Sequence, residues 1–260
     1  MHFIDTHAHS YARQFAHDLE EMILRFKAAG VKKVFLPNID QDSIEPMMSL
    51  CAAYPDLFIP MMGLHPCHVE ENYGEVLLSM EERLFEGGYC AVGEIGLDAF
   101  WDKTTLSRQE VAFRKQIQWA NELDLPIVIH SRDTLDECIQ IVAEEAKSGL
   151  RGIFHCFTGT AEQAVRITGL GFKLGIGGVY TFKNSNLNTA LAEIALADIV
   201  LETDSPYLAP VPYRGKRNES SYIPLVAAQL ASDRGIAIEE VARVTTDAAG
   251  QVFGAQYLLS

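Results

Sequence analysis

The stretch Cys90-Ala91-Val92-Gly93-Glu94 decides how the chain is read. It is a short apolar run of the kind that forms a buried strand, and it closes on a carboxylate. The pattern recurs along the sequence: Phe3-Ile4-Asp5-Thr6 leads into His7 and His9, Ile129 into His130, Phe154 into His155, and Ile199-Val200-Leu201 into Glu202-Thr203-Asp204. Eight such β-branched or apolar runs occupy 2–6, 32–37, 57–62, 90–94, 126–130, 152–155, 172–176 and 198–203. Between them lie stretches with helical spacing, as in Leu19, Met22, Ile23 and Phe26, or Leu135, Cys138, Ile139, Val142 and Ala146. Ser107 with Glu110, and Thr160 with Gln163, have the spacing of a capping box at a helix start. Eight βα units of similar length, with no linker or composition shift, predict an α/β fold: a single (β/α)8 TIM-like barrel over residues 1–260. A doubly wound open sheet is the alternative.

Composition narrows the function. A chain of 260 residues with 48% hydrophobic content can bury one large core. Asp and Glu number 35 against 21 Lys and Arg, a formal charge of −14, which excludes a broad phosphate-tracking surface. Any contact with nucleic acid must be local. The five cysteines, Cys51, Cys67, Cys90, Cys138 and Cys156, are scattered and contain no C-x-x-C pair, so neither a disulfide framework nor a zinc knuckle is indicated. No export signal or long apolar span stands out. The expectation is a cytoplasmic protein with no membrane association and no obligate protein partner.

The chemistry gathers at strand ends. His7 and His9 are two apart in extended chain and point to one side. In a parallel barrel the C-terminal ends of all strands share a face, so His7, His9, Glu94, His130, His155 and Asp204 meet at one mouth. Unpaired acids after the runs 90–92 and 199–201 would cost several kcal/mol in a core, a difficulty that metal coordination removes. Imidazole with carboxylate is a usual ligand set for divalent ions. Six ligands exceed what one tetrahedral ion needs, so the expectation is two divalent metal ions: His7, His9 and Asp204 on one, His130 and His155 on the other, Glu94 bridging. Zinc, manganese, magnesium and nickel all suit such donors. Glu94 and Asp204 are the candidate catalytic residues, Asp204 as the base that takes a proton from attacking water.

With these positions in hand, the chain resembles the TatD-like metal-dependent hydrolases, a branch of the amidohydrolase superfamily. The resemblance rests on Ile4-Asp5-Thr6-His7-Ala8-His9, Gly63-Leu64-His65-Pro66, Gly93-Glu94-Ile95-Gly96-Leu97-Asp98, Ile129-His130-Ser131-Arg132, His155-Cys156-Phe157-Thr158-Gly159 and Leu201-Glu202-Thr203-Asp204-Ser205-Pro206-Tyr207-Leu208. It implies a TIM-like barrel with one or two divalent ions on the six positions above. It also implies hydrolysis of phosphodiester bonds in DNA, often from the 3′ end. Glu94 stands where related barrels often carry a carboxylated lysine.

Around this set lie candidate substrate contacts: His65, Arg132, Tyr207, Arg214 and Lys216. Arg132 can pair with a phosphate oxygen, or instead with Asp133 or Asp136. The segment Tyr213-Arg214-Gly215-Lys216-Arg217-Asn218-Glu219 is the densest basic cluster in an acidic chain, and it follows the eighth strand. Phe100 and Trp101 can stack on a base or pack the rim. The leading expectation is a DNA phosphodiesterase; the alternative is an esterase or amidase such as an aminoacyl-RNA deacylase or cyclic amidase, and a third is a metal-binding barrel without catalysis.

Overall fold

The computed structural model describes residues 1–145, 147 and 149–258. Among them eight strands run β1 (Phe3–Asp5), β2 (Val31–Leu36), β3 (Phe58–Pro60), β4 (Val92–Asp98), β5 (Ile127–Arg132), β6 (Gly152–Phe154), β7 (Lys173–Ile176) and β8 (Ile199–Leu201). The helices are α1 (Leu19–Ala28), α2 (Gln41–Ala53), α3 (Tyr73–Phe85), α4 (Leu106–Leu123), α5 (Leu135–Glu145), α6 (Ala161–Gly169), α7 (Leu187–Ala190), α8 (Ile223–Arg234) and α9 (Ile238–Phe253).

All strand pairs are parallel and form two arcs, β1-β2-β3 and β4-β5-β6-β7-β8. Two narrow seams join the arcs into a ring. At one, Met62 bridges Val92 and the Gly93 N–H donates to the Met62 carbonyl at 2.9 Å. At the other, Ala8 bridges Ser205, and Thr6 N–H donates to the Leu201 carbonyl at 3.0 Å. The expected (β/α)8 barrel is the observed fold.

Strand alternation sorts the side chains. Ile127, Ile129, Phe154, Leu174 and Leu201 pack outward with the helices, as in Met22, Ile23 and Phe26 of α1. Ile4, Phe35, Ile59, Val128, Ile153 and Val200, one from each of six strands, form a second cluster that fills the ring. The end of α9 plugs its base, with Phe253 stacked on Phe35 at 4.0 Å. Two residues beyond Val128, Ile153 and Val200, on the same inward face, come His130, His155 and Glu202. Apolar burial is worth about 1.5–3 kcal/mol per side chain, and an unpaired buried polar group costs about 1–3 kcal/mol. The inward face, apolar at the middle of the ring, therefore turns polar at the mouth.

Two expectations need correction. The fourth strand continues past Glu94 to Asp98, because Gly96, Leu97 and Asp98 pair with His130, Ser131 and Arg132 after a register shift between Gly93 and Ile95. Ser107 and Glu110 do not cap α4. The helix begins at Leu106 after a 3-10 turn whose start is capped by Asp102, accepting from the Thr104 N–H at 2.8 Å; Glu110 pairs instead with Arg114. The Thr160–Gln163 box forms as expected, with both reciprocal bonds. Ala146 of the α5 pattern lies outside the described residues. Among the described residues no helix is long and apolar enough to cross a membrane.

Candidate metal centre

Glu94 sits at the middle of the mouth with its side chain 3% exposed. Its two oxygens face different histidines. Oε2 lies 3.2 Å from His7 Nε2 and 3.7 Å from His9 Nε2, whereas Oε1 lies 3.0 Å from His130 Nδ1 and 3.3 Å from His155 Nε2. Asp204 approaches from β8, its Oδ1 3.5 Å from His9 Nε2 and 3.8 Å from His7 Nε2. Asp204 lies two residues beyond Glu202, on the same inward face, where the backbone leaves β8 with a left-handed φ of 56°. All six expected positions therefore converge.

Second partners fix which nitrogen each ring presents. His155 Nδ1 donates to Glu202 Oε1 at 3.1 Å, leaving Nε2 toward Glu94. His130 does the reverse: Nε2 donates to Asp98 Oδ2 at 2.9 Å, and Nδ1 faces Glu94. The Tyr11 hydroxyl donates to the Pro37 carbonyl at 2.6 Å, so its oxygen accepts from His9 Nδ1 at 3.0 Å and His9 Nε2 is bare. His7 is buried, stacked on His155 at 3.7 Å, and neither of its ring nitrogens has an aligned hydrogen bond among the described residues. Four rings aim a nitrogen at one carboxylate, and an orphaned buried imidazole is among them. This donor set fits divalent cations. Three overlapping groups have cation-binding spacing: His7, His155 and Asp204; His7, His9 and Glu94; and His65, Glu94 and His130.

His65 differs from the rest. The Cys67 backbone N–H donates to His65 Nδ1 at 3.1 Å, so the neutral ring carries its proton on Nε2, which points toward Glu94 Oε1 at 3.6 Å. A protonated nitrogen donates a hydrogen bond and does not ligate. Burial, aided by the neighbouring His130, pushes His65 down to about 3, which keeps it neutral.

Charge within the mouth is strongly coupled. Burial would raise the Glu94 carboxyl, but His7, His155 and His65 and the His130 hydrogen bond outweigh it and hold the group well below the usual carboxylate range. Asp204 is also lowered: burial opposes this, and the His9 bond with the His155 and His7 charges overcomes it. Burial lowers His155, yet Glu202 and Glu94 lift it to about 10. His130 is raised too, through Asp98 and Glu94 against its burial. His7 moves down because of burial and the His155 charge.

Asp98, Glu202 and Tyr11 carry these orientations and were not singled out in the sequence. The signal for Glu202 was available: it shares the inward face of Val200. Gly175 makes room for it, since a Cβ there would lie 2.1 Å from Glu202 Oε2. Of the remaining candidates, Tyr207 is exposed with its ring 6.3 Å from that of His9. Arg132 does not pair with Asp133 or Asp136; it lies over Phe100, and Asp136 is held by Arg166 and Gln163. Arg214 lies over Phe182, and Lys216 is exposed. Arg217, in the same basic loop, is bound to Asp18 at 2.6 Å and is structural.

A model of TatD-related DNases matches residues 4–254 of this chain. The chain belongs to the TatD family. Over 250 residues it is 40% identical to a Bacillus subtilis relative named "uncharacterized metal-dependent hydrolase YabD", covering 96% of this chain and 98% of that one. A Yersinia pseudotuberculosis relative named "3'-5' ssDNA/RNA exonuclease TatD" is 31% identical over 227 residues, 85% of this chain and 87% of the relative. Among solved structures, the TatD homologue YJJV of Escherichia coli superposes with a TM-score of 0.91 at 30% identity, covering 96% of this TatD-family chain and 97% of the other. Family and fold place the chain among metal-dependent hydrolases.

Proposed function

We propose that residues 1–260 act as one barrel domain and hydrolyse phosphodiester bonds in DNA, releasing nucleotides from the 3′ end. The observation that carries this reading is the division of Glu94: Oε2 faces His7 and His9, and Oε1 faces His130 and His155, with the Nε2–H of His65 beside it. Such a carboxylate suits two divalent ions, with His7, His9 and Asp204 holding one, His130 and His155 the other, and Glu94 shared. Zinc, manganese, magnesium or nickel would polarise a phosphoryl oxygen and acidify water when bound.

The chain's own groups do the rest. Asp204, 17% exposed at the open side of the centre, accepts the proton released in attack. His65 Nε2–H, directed at Glu94, and the Arg132 guanidinium, from the last residue of β5, would donate to phosphate oxygens. Tyr207, Arg214 and Lys216, on the loop after β8, hold the strand as it enters. The charges of Arg214 and Lys216 are local, so the reading is compatible with the acidic whole. The name of the Yersinia relative, a 3'-5' ssDNA/RNA exonuclease, supports this polarity and substrate.

The test is nucleotide release from 3′-labelled single-stranded DNA by chelator-treated chain reloaded with each metal in turn. Glu94→Ala is expected to lower kcat by on the order of a thousandfold, comparable with losing a principal charge-stabilising group. Turnover of an aminoacyl ester or cyclic amide without nucleotide release would replace this reading with carbonyl hydrolysis.

A further inference from the structure

The Asp98 carboxylate is shared between the centre and its rim. Oδ2 accepts from His130 Nε2, while Oδ1 accepts the backbone N–H groups of Phe100 at 2.9 Å and Trp101 at 3.2 Å. Two aromatic residues are thereby anchored to a histidine of the mouth. Both rings stand in solvent, Phe100 50% and Trp101 70% exposed, edge to face with centroids 5.0 Å apart. The Arg132 guanidinium lies 3.6 Å over the Phe100 ring and 5.4 Å from that of Trp101. That cation–π contact orients it, and its N–H groups have no hydrogen-bond or ion-pair partner among the described residues.

Packing explains Phe100, which carries the arginine. It does not explain Trp101, whose ring lies mostly in water while Trp119 is 1% exposed. A groove of about 590 Å³ runs beside Trp101, lined in part by Cys67, Val69, Asn72 and Arg108, a size suited to a small ligand. Glu70, Glu71 and Asp102 also border it, so it favours a neutral group over a phosphate. Across the mouth, four strands round the ring, the loop after β8 exposes Tyr207 and Tyr213.

Resting on the phosphodiesterase reading, we infer that Trp101 is a stacking platform for an unpaired base of single-stranded DNA. Phe100 supports it, and Arg132 meets the phosphate next to that base. An interior duplex base is stacked on both faces, and a terminal one is stacked on one face and held by its pair, so the platform favours single strands. Stacking is sequence-tolerant, because every base offers a π face.

The chain contains two tryptophans, and with Trp119 buried the solvent-quenchable emission belongs to Trp101. Metal-stripped full-length chain is titrated with a single-stranded oligothymidylate and with an abasic strand of equal length, with quenching followed in the parent chain and affinity in parent and variants by calorimetry. The thymidylate is expected to quench the fluorescence and to bind about tenfold more tightly than the abasic strand; Trp101→Ala is expected to abolish that preference and Trp101→Phe to retain part of it. Binding without quenching, a preference that survives Trp101→Ala, or no binding at all would overturn the platform. Stacking without cleavage by the metal-loaded chain would leave the platform standing and remove the nuclease reading. Cleavage with an undiminished preference in Trp101→Ala would do the reverse.

Discussion

The two sides of the centre are built differently. His130 and His155 each donate to a buried carboxylate, Asp98 or Glu202. His9 donates to a neutral tyrosine hydroxyl, and His7 donates to nothing among the described residues. A carboxylate behind an imidazole sets its tautomer and raises its basicity. One side is therefore oriented, and its rings made more basic, before any cation arrives. The other is held by stacking on His155 and by exclusion from water.

The largest effect expected from this contrast is at Glu202. Glu202→Gln should lower manganese affinity by about 10- to 100-fold in calorimetric titration, since the amide keeps shape but loses the charge behind His155. On the other side Tyr11→Phe should cost only about two- to tenfold, the worth of one neutral hydrogen bond. Equal losses would erase the distinction between the sides. The smallest effect concerns pH. The folded-state pKa of His155, about 10, lies above its ordinary 6.5, so its contribution to stability is complete below 6.5 and lost as pH rises toward 10. His7 is shifted downward, so its change is finished by pH 7. The Tm of metal-stripped chain should therefore fall between about pH 7 and 10, and Glu202→Gln should flatten that slope; a flat profile in the parent chain would contradict the assignment.

Much of this was readable from residue order. Eight apolar runs separated by helical spacing favour a parallel ring over an open sheet, and the ring puts His130, His155 and Asp204, at or just past their strand ends, on one face. Local pattern was less able to give extents. The bulge at Glu94 lets β4 run on to Asp98, and nothing in the run 90–94 announces it. The start of α4 was misplaced because Ser107 and Glu110 have the spacing of a cap, while Asp102 supplies the bond that forms. Tautomers depend on contacts between distant segments, such as His155 with Glu202 or His9 with Pro37 through Tyr11. The role of His65 turned on a single backbone N–H from Cys67.

The seams of the ring bear on how errors in it would be felt. His7, His9 and His65 belong to the three-stranded arc, and Glu94, His130, His155 and Asp204 to the five-stranded one. Asp204 meets His7 through a backbone bond of 2.9 Å at one join, and Gly93 meets Met62 at the other. Slippage by one residue at either join would part the two groups while leaving each arc intact. The mouth thus acts as a gauge of closure, in which misassembly of the scaffold is registered first as lost chemistry.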